Sequence, residues 1–361
     1  MCYHCCVTYK FILIGVGEGG GRLAVAFDPL GYFVCAINTA QGDLDGLGLP
    51  NERKLLLQIS QGGTGRDTTI VKEGMTHPEH REALKNFLST MLSQQDNISL
   101  TYVLVCVGGG GGSGSGLANL VIENLLEYNV PVGMIYTLPG DDEDVVIKTN
   151  AVNTFQQLYN EKAVNAAISP VILVDNAFMN KLGIPIKDFY SVVNKKVAEN
   201  IHTFNSFSSL PSKFFSAVDT LDFGRVLGLG GVCSLGKIPK IVNPLDFPYV
   251  TNLIKESLFV EGLNMESAKG AAIIVTAPDF MLSNEHVSNC IKFIFEYVSR
   301  FSGIVFRGVY EDHTNSEFNV YLIFNGMTFP QDRFNRMWQD IRVGRSAVKR
   351  KEQRIDEMTF S

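Results

Sequence analysis

Nine consecutive residues, Gly108-Gly-Gly-Gly-Gly-Ser-Gly-Ser-Gly116, are glycine or serine and nothing else. They stand between an apolar run, Val103-Leu-Val-Cys-Val107, and a stretch of helical spacing that opens Leu117-Ala-Asn-Leu-Val-Ile122. Flexible Gly/Ser linkers have this composition. A linker is out of place between a buried strand and an amphipathic helix, so the run reads as a tight strand-to-helix turn. There, backbone N–H groups and a helix N-terminus converge on one point, which binds anions and phosphate above all. Only glycine lets a backbone approach a ligand that closely at unusual φ/ψ. Ser113 and Ser115 add hydroxyl donors, and the candidate contacts are Gly110, Gly111, Gly112, Ser113, Gly114 and Ser115. The chain has no G-x-x-x-x-G-K-[ST], so no loop lysine neutralises the phosphate.

A second glycine loop follows Phe11-Ile-Leu-Ile14. Gly15-Val-Gly17-Glu-Gly-Gly20 satisfies G-x-G-x-x-G and makes Gly17, Glu18, Gly19, Gly20 and Gly21 candidates. On its own this pattern fits a tight glycine turn as well as a phosphate loop. A dinucleotide fold would also want an acidic residue at the end of the second strand, to hold a ribose hydroxyl. Asn38 and Thr39 stand there instead. A nicotinamide-dependent oxidoreductase is therefore the alternative from another class, disfavoured by Asn38 and by the second glycine loop. A nucleotide-binding structural protein without hydrolysis is a further one.

Strand-like runs at Phe11–Ile14, Tyr32–Ile37, Tyr102–Val107, Val130–Tyr136 and Val171–Val174 alternate with helical spacing at Arg81–Leu92, Leu117–Tyr128 and Val145–Tyr159. Such alternation predicts an α/β domain with a mainly parallel sheet. Asp188–Phe204 has one apolar helical side. Beyond it come a strand at Ala271–Thr276, a helix at His286–Arg300, and strands at Ile304–Tyr310 and Phe318–Phe324. This second pattern predicts a smaller α+β unit, beginning near residue 225. The segment from Pro330 carries Arg342, Arg345, Lys349, Arg350, Lys351 and Arg354 and reads as a basic helix or tail.

The 361 residues suffice for more than one domain, and a net charge of -6 disfavours a whole-molecule footprint for nucleic acid. No uncharged apolar run reaches the roughly 18 residues of a membrane span. Residues 1–10 lack the pattern of a secretory signal. Seven cysteines, among them Cys35 and Cys106 in apolar runs, read as reduced thiols of a cytoplasmic protein. Cys2, His4, Cys5 and Cys6 are too crowded for a zinc site and have no second ligand pair at zinc-finger spacing.

In order and spacing, these segments resemble the tubulin/FtsZ superfamily of polymerising GTPases, over most of the chain to about residue 329. Gly110-Gly-Gly-Ser-Gly-Ser-Gly116 is similar to the signature G-G-G-T-G-[ST]-G, with serine for threonine. Gly15–Arg22 resembles the first phosphate loop, Ala36-Ile-Asn38-Thr39 the A-I-N-T segment, and Gly62–Asp67 the loop that senses the γ-phosphate. Thr137-Leu-Pro139 to Glu143 resembles the T-x-P…E stretch, which implies that Glu143 holds the ribose. The arginine expected four residues later falls on Ile147, beside Lys148. Val174-Asp-Asn176 resembles the I-D-N segment, so Asn176 would read the guanine, with Tyr190 and Asn194 stacking on it and bonding its edge. Without the resemblance Tyr190 reads as a core aromatic. Asp219 and Asp222 resemble the N-x-D-x-x-D loop, with Ala217 for its asparagine. Two aspartates at this spacing are otherwise a solvated helix turn. The resemblance makes them the catalytic carboxylates, delivered to the GTP of the next subunit.

The resemblance implies a tubulin-like fold divided into a GTP-binding domain at 1–187, a central helix at 188–210, a second (activation) domain at 211–329 and a basic C-terminal helix or tail at 330–361. It implies GTP/GDP and Mg2+ as ligands, with no metal-binding side chains assigned, and head-to-tail filaments. Within the superfamily the chain looks most like the TubZ type of plasmid and phage partition tubulins. That implies a TubR-like DNA-binding adaptor, bound to a centromere-like site and engaged through the C-terminal tail, and no membrane partner. A phage-centring or division-type homologue is the alternative role.

Overall fold

The protein is described from a computed structural model, which covers residues 8–94, 100–210, 217–238, 240–241, 243–301, 303–312 and 317–359, with side chains to Ser346. The strands are β1 (Lys10–Val16), β2 (Phe33–Asn38), β3 (Lys54–Leu56), β4 (Thr101–Gly108), β5 (Val132–Leu138), β6 (Val171–Asp175), β7 (Val232–Ile238), β8 (Gly270–Ala277), β9 (Ile304–Glu311) and β10 (Asn319–Met327). They form a ten-stranded sheet in the order β3-β2-β1-β4-β5-β6-β7-β10-β8-β9. The first six run parallel. β7 joins β6 through the single pair Ile172–Cys233. β10 then runs antiparallel to both β7 and β8, and β9 is parallel to β8.

The apolar runs of the sequence are buried on both faces, as a covered parallel sheet requires. Ile12, Ile14 and Val16 of β1 face one core, and Phe11 and Leu13 face the other. The helices are α1 (Gly17–Val25), α2 (Gln41–Asp45), α3 (Thr68–Gly74), α4 (Pro78–Ser93), α5 (Gly112–Leu126), α6 (Val145–Leu158), α7 (Asn176–Met179), α8 (Phe189–Phe207), α9 (Thr220–Leu227), α10 (Phe247–Ser257), α11 (Asp279–Leu282), α12 (Glu285–Ser299) and α13 (Gln331–Thr359). Leu117, Val121 and Ile122 of α5 fill the first core, while Phe189, Val193, Val197 and Ile201 of α8 fill the second.

β3 and β7 do not announce themselves in sequence. β3 has three residues, none fully buried. β7 reads Val-Cys-Ser-Leu-Gly-Lys-Ile, and its polar and small members break the apolar run although Ser234 is fully buried. α13 continues straight from the last strand. Phe334, Met337 and Ile341, on one face at helical spacing, are buried in the first core. Each such side chain contributes roughly 1.5–3 kcal/mol. The start of α13 is thus part of the fold rather than an appended tail.

Among the described residues no helix is long and apolar enough to cross a membrane. Cys35, Cys106, Cys233 and Cys290 are free and buried. Burial pushes the Cys35 thiol up to about 12, which keeps it protonated and unreactive. Cys2, His4, Cys5 and Cys6 lie outside the described residues.

Candidate nucleotide site

β1 and β4 are parallel neighbours, so the turns that leave them meet at one edge of the sheet. α1 starts at Gly17 directly off β1, and α5 starts at Gly112 inside the glycine run. The two turns interlock backbone to backbone. Gly17 has φ +72°, and a Cβ there would lie 2.6 Å from the Gly114 nitrogen. A Cβ on Gly20 would run into the Cys106 carbonyl, and one on Gly114 would lie 3.1 Å from the Gly108 carbonyl oxygen. Neither Val16 nor Gly111, the residues preceding the two helices, makes a side-chain cap. Both helices therefore present open N–H groups and positive dipole ends to the same space.

That space is a cleft of about 440 Å³, within the usual range for small-ligand sites. Its third wall is the loop Gly62–Arg66, where Gly62, Gly63, Gly65 and Arg66 all have positive φ. The wall is tied to the glycine run through Ser113, whose hydroxyl lies 2.6 Å from that of Thr39 and 3.5 Å from that of Thr64. The far end is closed by Thr137, Pro139, Glu143, Ile147, Asn176 and Tyr190. Arg22, 2.6 Å from Glu18, and Arg66, paired with Asp144, bring guanidinium charge to the lining. The Tyr190 ring is half-exposed. Partial burial pushes its hydroxyl up, aided by the charges of Glu143 and Asp142. The cleft thus joins an anion cradle at one end to an aromatic and amide wall at the other.

Other proteins share this architecture. TubZ of Bacillus cereus is 26% identical over 301 residues, covering 75% of this chain and 67% of that protein. CetZ of Pyrococcus horikoshii is 25% identical over 361 residues, covering 95% and 93%. A GTPγS-form protofilament of Bacillus thuringiensis serovar israelensis TubZ superposes with a TM-score of 0.78 at 22% identity, over 98% of this chain and 96% of that one. No protein-family model matches. In sequence and in fold the chain is similar to the tubulin-like proteins TubZ and CetZ. TubZ and CetZ relatives match it at similar identity, so likeness alone does not choose between them.

Of the residues singled out by the superfamily resemblance, Gly17, Glu18, Gly19, Gly111, Gly112, Ser113, Gly114, Glu143, Asn176 and Tyr190 line the cleft. Gly20 and Gly21 lie beneath it as packing glycines. Gly110, at φ +114°, forms the bend, and its N–H donates to the Ser115 hydroxyl at 3.2 Å. Asn38 is buried under the floor and donates to Asp43 at 3.0 Å. Asp43, which the sequence reading missed, is the one of the two that lines the cleft. Asn194 is buried on α8, one turn beyond Tyr190, and is not part of the lining. Ile147 supplies an aliphatic wall, and Lys148 turns away from it. Its ammonium donates to the Asp141 carbonyl at 2.6 Å and to Asp340 of α13 at 2.8 Å. Lys148 is thus no substitute for the superfamily's arginine. Arg22 and Arg66 are the guanidinium groups at hand.

Asp219 and Asp222 are elsewhere. They form a capping box on α9, with the Asp219 carboxylate accepting the Asp222 N–H at 2.7 Å and Asp222 accepting the Asp219 N–H at 3.4 Å. α9 packs by Phe223 against Tyr9, just before β1. The cleft opens at the other end of that strand. Seven residues of β1 separate the two ends, roughly 20 Å at the rise of a strand. One chain therefore does not bring the carboxylates to the cleft. Burial pushes the Asp222 carboxyl up, and the charge of Asp219 adds to this.

Proposed function

We propose that the cleft binds GTP and that hydrolysis occurs when a second copy, stacked head to tail, presents Asp219 and Asp222 to it. The observation that supports this reading most is the separation of the two half-sites. The uncapped ends of α1 and α5 face one edge of the sheet, and the carboxylates lie at the other. The helix N-termini and Ser113 would hold the phosphates, Glu143 the ribose, and Asn176 and Tyr190 the guanine. Asp222, its carboxyl raised above the ordinary aspartate value by burial, would position the attacking water and accept its proton. Among the described residues no cluster of three His, Cys, Asp or Glu could hold a metal. A Mg2+ ion would therefore be held mainly by phosphate oxygens and would neutralise charge on the transferred group. In this reading residues 1–187 hold the nucleotide, α8 is the central helix and 211–329 deliver the carboxylates.

The test is phosphate release per molecule as a function of protein concentration. It should be near zero below a threshold and rise steeply above it. A rate per molecule flat in concentration would rule out the shared site. GTP should raise the melting temperature and NADH should not, the reverse being expected of an oxidoreductase.

The role that fits best is cytoplasmic segregation of plasmid or phage DNA through a TubR-like adaptor. It is supported by α13, which runs on as a helix to Thr359 through Lys349, Arg350, Lys351 and Arg354, beyond Ile341, the last buried side chain among its described ones. Arg345 still lies 3.5 Å from Thr149, so the cut should fall after Ser346. Deleting residues 347–361 should leave GTP hydrolysis within about twofold and weaken binding to the adaptor–DNA complex at least tenfold, read by surface plasmon resonance. Unchanged adaptor affinity would leave the phage-centring or division-type role as the better one.

A further inference from the structure

Arg333 is fully buried near the start of α13 and does not line the cleft. Its guanidinium bridges the two walls of the cleft's far end. Nε donates to Asp175 Oδ2 at 2.8 Å, and Nη2 donates to the Pro139 carbonyl at 2.9 Å. Nη1 lies 3.1 Å from the exposed Asp141 carboxylate. The other oxygen of Asp175 accepts the Ala177 N–H at 3.2 Å and so caps α7, whose first residue is Asn176. Pro139 belongs to the loop that carries Glu143, whose N–H donates to the Gly140 carbonyl at 3.4 Å. One planar fork thus reaches the segment bearing Asn176 and the segment bearing Glu143 at once.

We propose that Arg333 is a positioning residue for base recognition, fixing the gap between Asn176 and the Pro139–Glu143 loop from the C-terminal helix. This rests on reading the cleft as a guanine-nucleotide site. A lysine at 333 has a single ammonium on a flexible stem and could not reproduce the bidentate bridge. Among the described residues, the hydrogen bonds and ion pairs of Arg333 go to Asp175, Pro139 and Asp141 and not to the two glycine loops that build the phosphate end. Loss of the bridge should therefore weaken base reading and spare anion binding.

The experiment is competition against fluorescent GTP in the full chain, with GTP, ATP and inorganic tripolyphosphate as competitors. For Arg333→Lys, tripolyphosphate affinity should stay within twofold of wild type. GTP affinity should fall at least tenfold, and the GTP:ATP preference at least fivefold. Asn176→Ala should lower the same preference, and adding Arg333→Lys to it should cost less than in wild type, because both act on one contact. Should Arg333→Lys not fold, Asp141→Asn serves instead. Its side chain is 72% exposed, and it should lower the GTP:ATP preference about threefold. An unchanged preference in the variant that folds overturns the proposal, as does a parallel loss of tripolyphosphate binding. Wild-type protein that binds GTP no better than tripolyphosphate would instead remove the guanine reading of the cleft itself.

Discussion

Asp222→Ala is expected to slow GTP hydrolysis in assembled filaments by roughly 10²- to 10⁴-fold, the usual worth of a positioned general base. GTP affinity of the unassembled chain should not change, because the residue sits at the opposite end of β1 from the cleft. Two effects could be confused here, since Asp222 also closes the capping box of α9. Removing a cap costs about 1 kcal/mol of stability, which should appear as a lower melting temperature. Asp222→Asn separates the two. Its amide oxygen can still accept the Asp219 N–H, yet it cannot take a proton. Hydrolysis should be as slow as in Asp222→Ala, with the melting temperature near wild type. If Asp222→Asn hydrolyses at the wild-type rate, the carboxylate is structural only.

A shared site also makes a mixing prediction. Wild-type protein held below its assembly threshold should begin to release phosphate when Asp222→Ala is added, because the variant still binds GTP and extends filaments. A site complete within one chain would give no such gain. The pH dependence follows from the same pair. Burial and then the Asp219 charge raise the Asp222 carboxyl, so the acid limb of the rate should lie at higher pH than an unperturbed aspartate would place it. Asp219→Asn removes the negative neighbour and should move that limb to lower pH.

The phosphate end of this site is legible in sequence because the constraint acts on backbone. Glycine at 17, 20 and 114 is demanded by backbone atoms of neighbouring segments, whatever side chains surround them. Even so, the start of α5 at Gly112 is hidden, since glycine is the poorest helix former after proline. Open N–H groups are of more use there than helix propensity. The base end is legible only through the superfamily resemblance, because Asn176 and Tyr190 carry no pattern of their own. Arg333 is invisible by any local criterion. A charged residue in a basic segment reads as solvated, and its partner Asp175 lies 158 residues away. Burial pushes that carboxyl up while the guanidinium pulls it back, a balance set by tertiary structure alone. Lys148 misleads in the same way: proximity to Ile147 in the chain says nothing of a side chain drawn off by Asp340.

Gly17→Ala should reduce GTP affinity at least ~100-fold, read by calorimetry, and abolish assembly with it. Two costs combine at this position. An alanine at φ +72° is disfavoured by roughly 1–2 kcal/mol. Its Cβ would also lie 2.6 Å from the nitrogen and 2.9 Å from the Cα of Gly114, both backbone atoms that cannot swing aside. Relief requires the two phosphate loops to move apart, which spoils the convergence of α1 and α5 on one anion. Gly62 separates the two costs. It lines the same cleft at φ +81°, and a Cβ there would meet nothing within 4 Å. Gly62→Ala therefore carries the conformational cost without the collision and should lose less than about tenfold. Gly111→Ala, at ordinary φ and with nothing within 4 Å, carries neither. Its effect measures only the room that the phosphates themselves require at the mouth of α5. If Gly62→Ala were as damaging as Gly17→Ala, backbone conformation rather than the close approach of the two loops would be what builds the cradle.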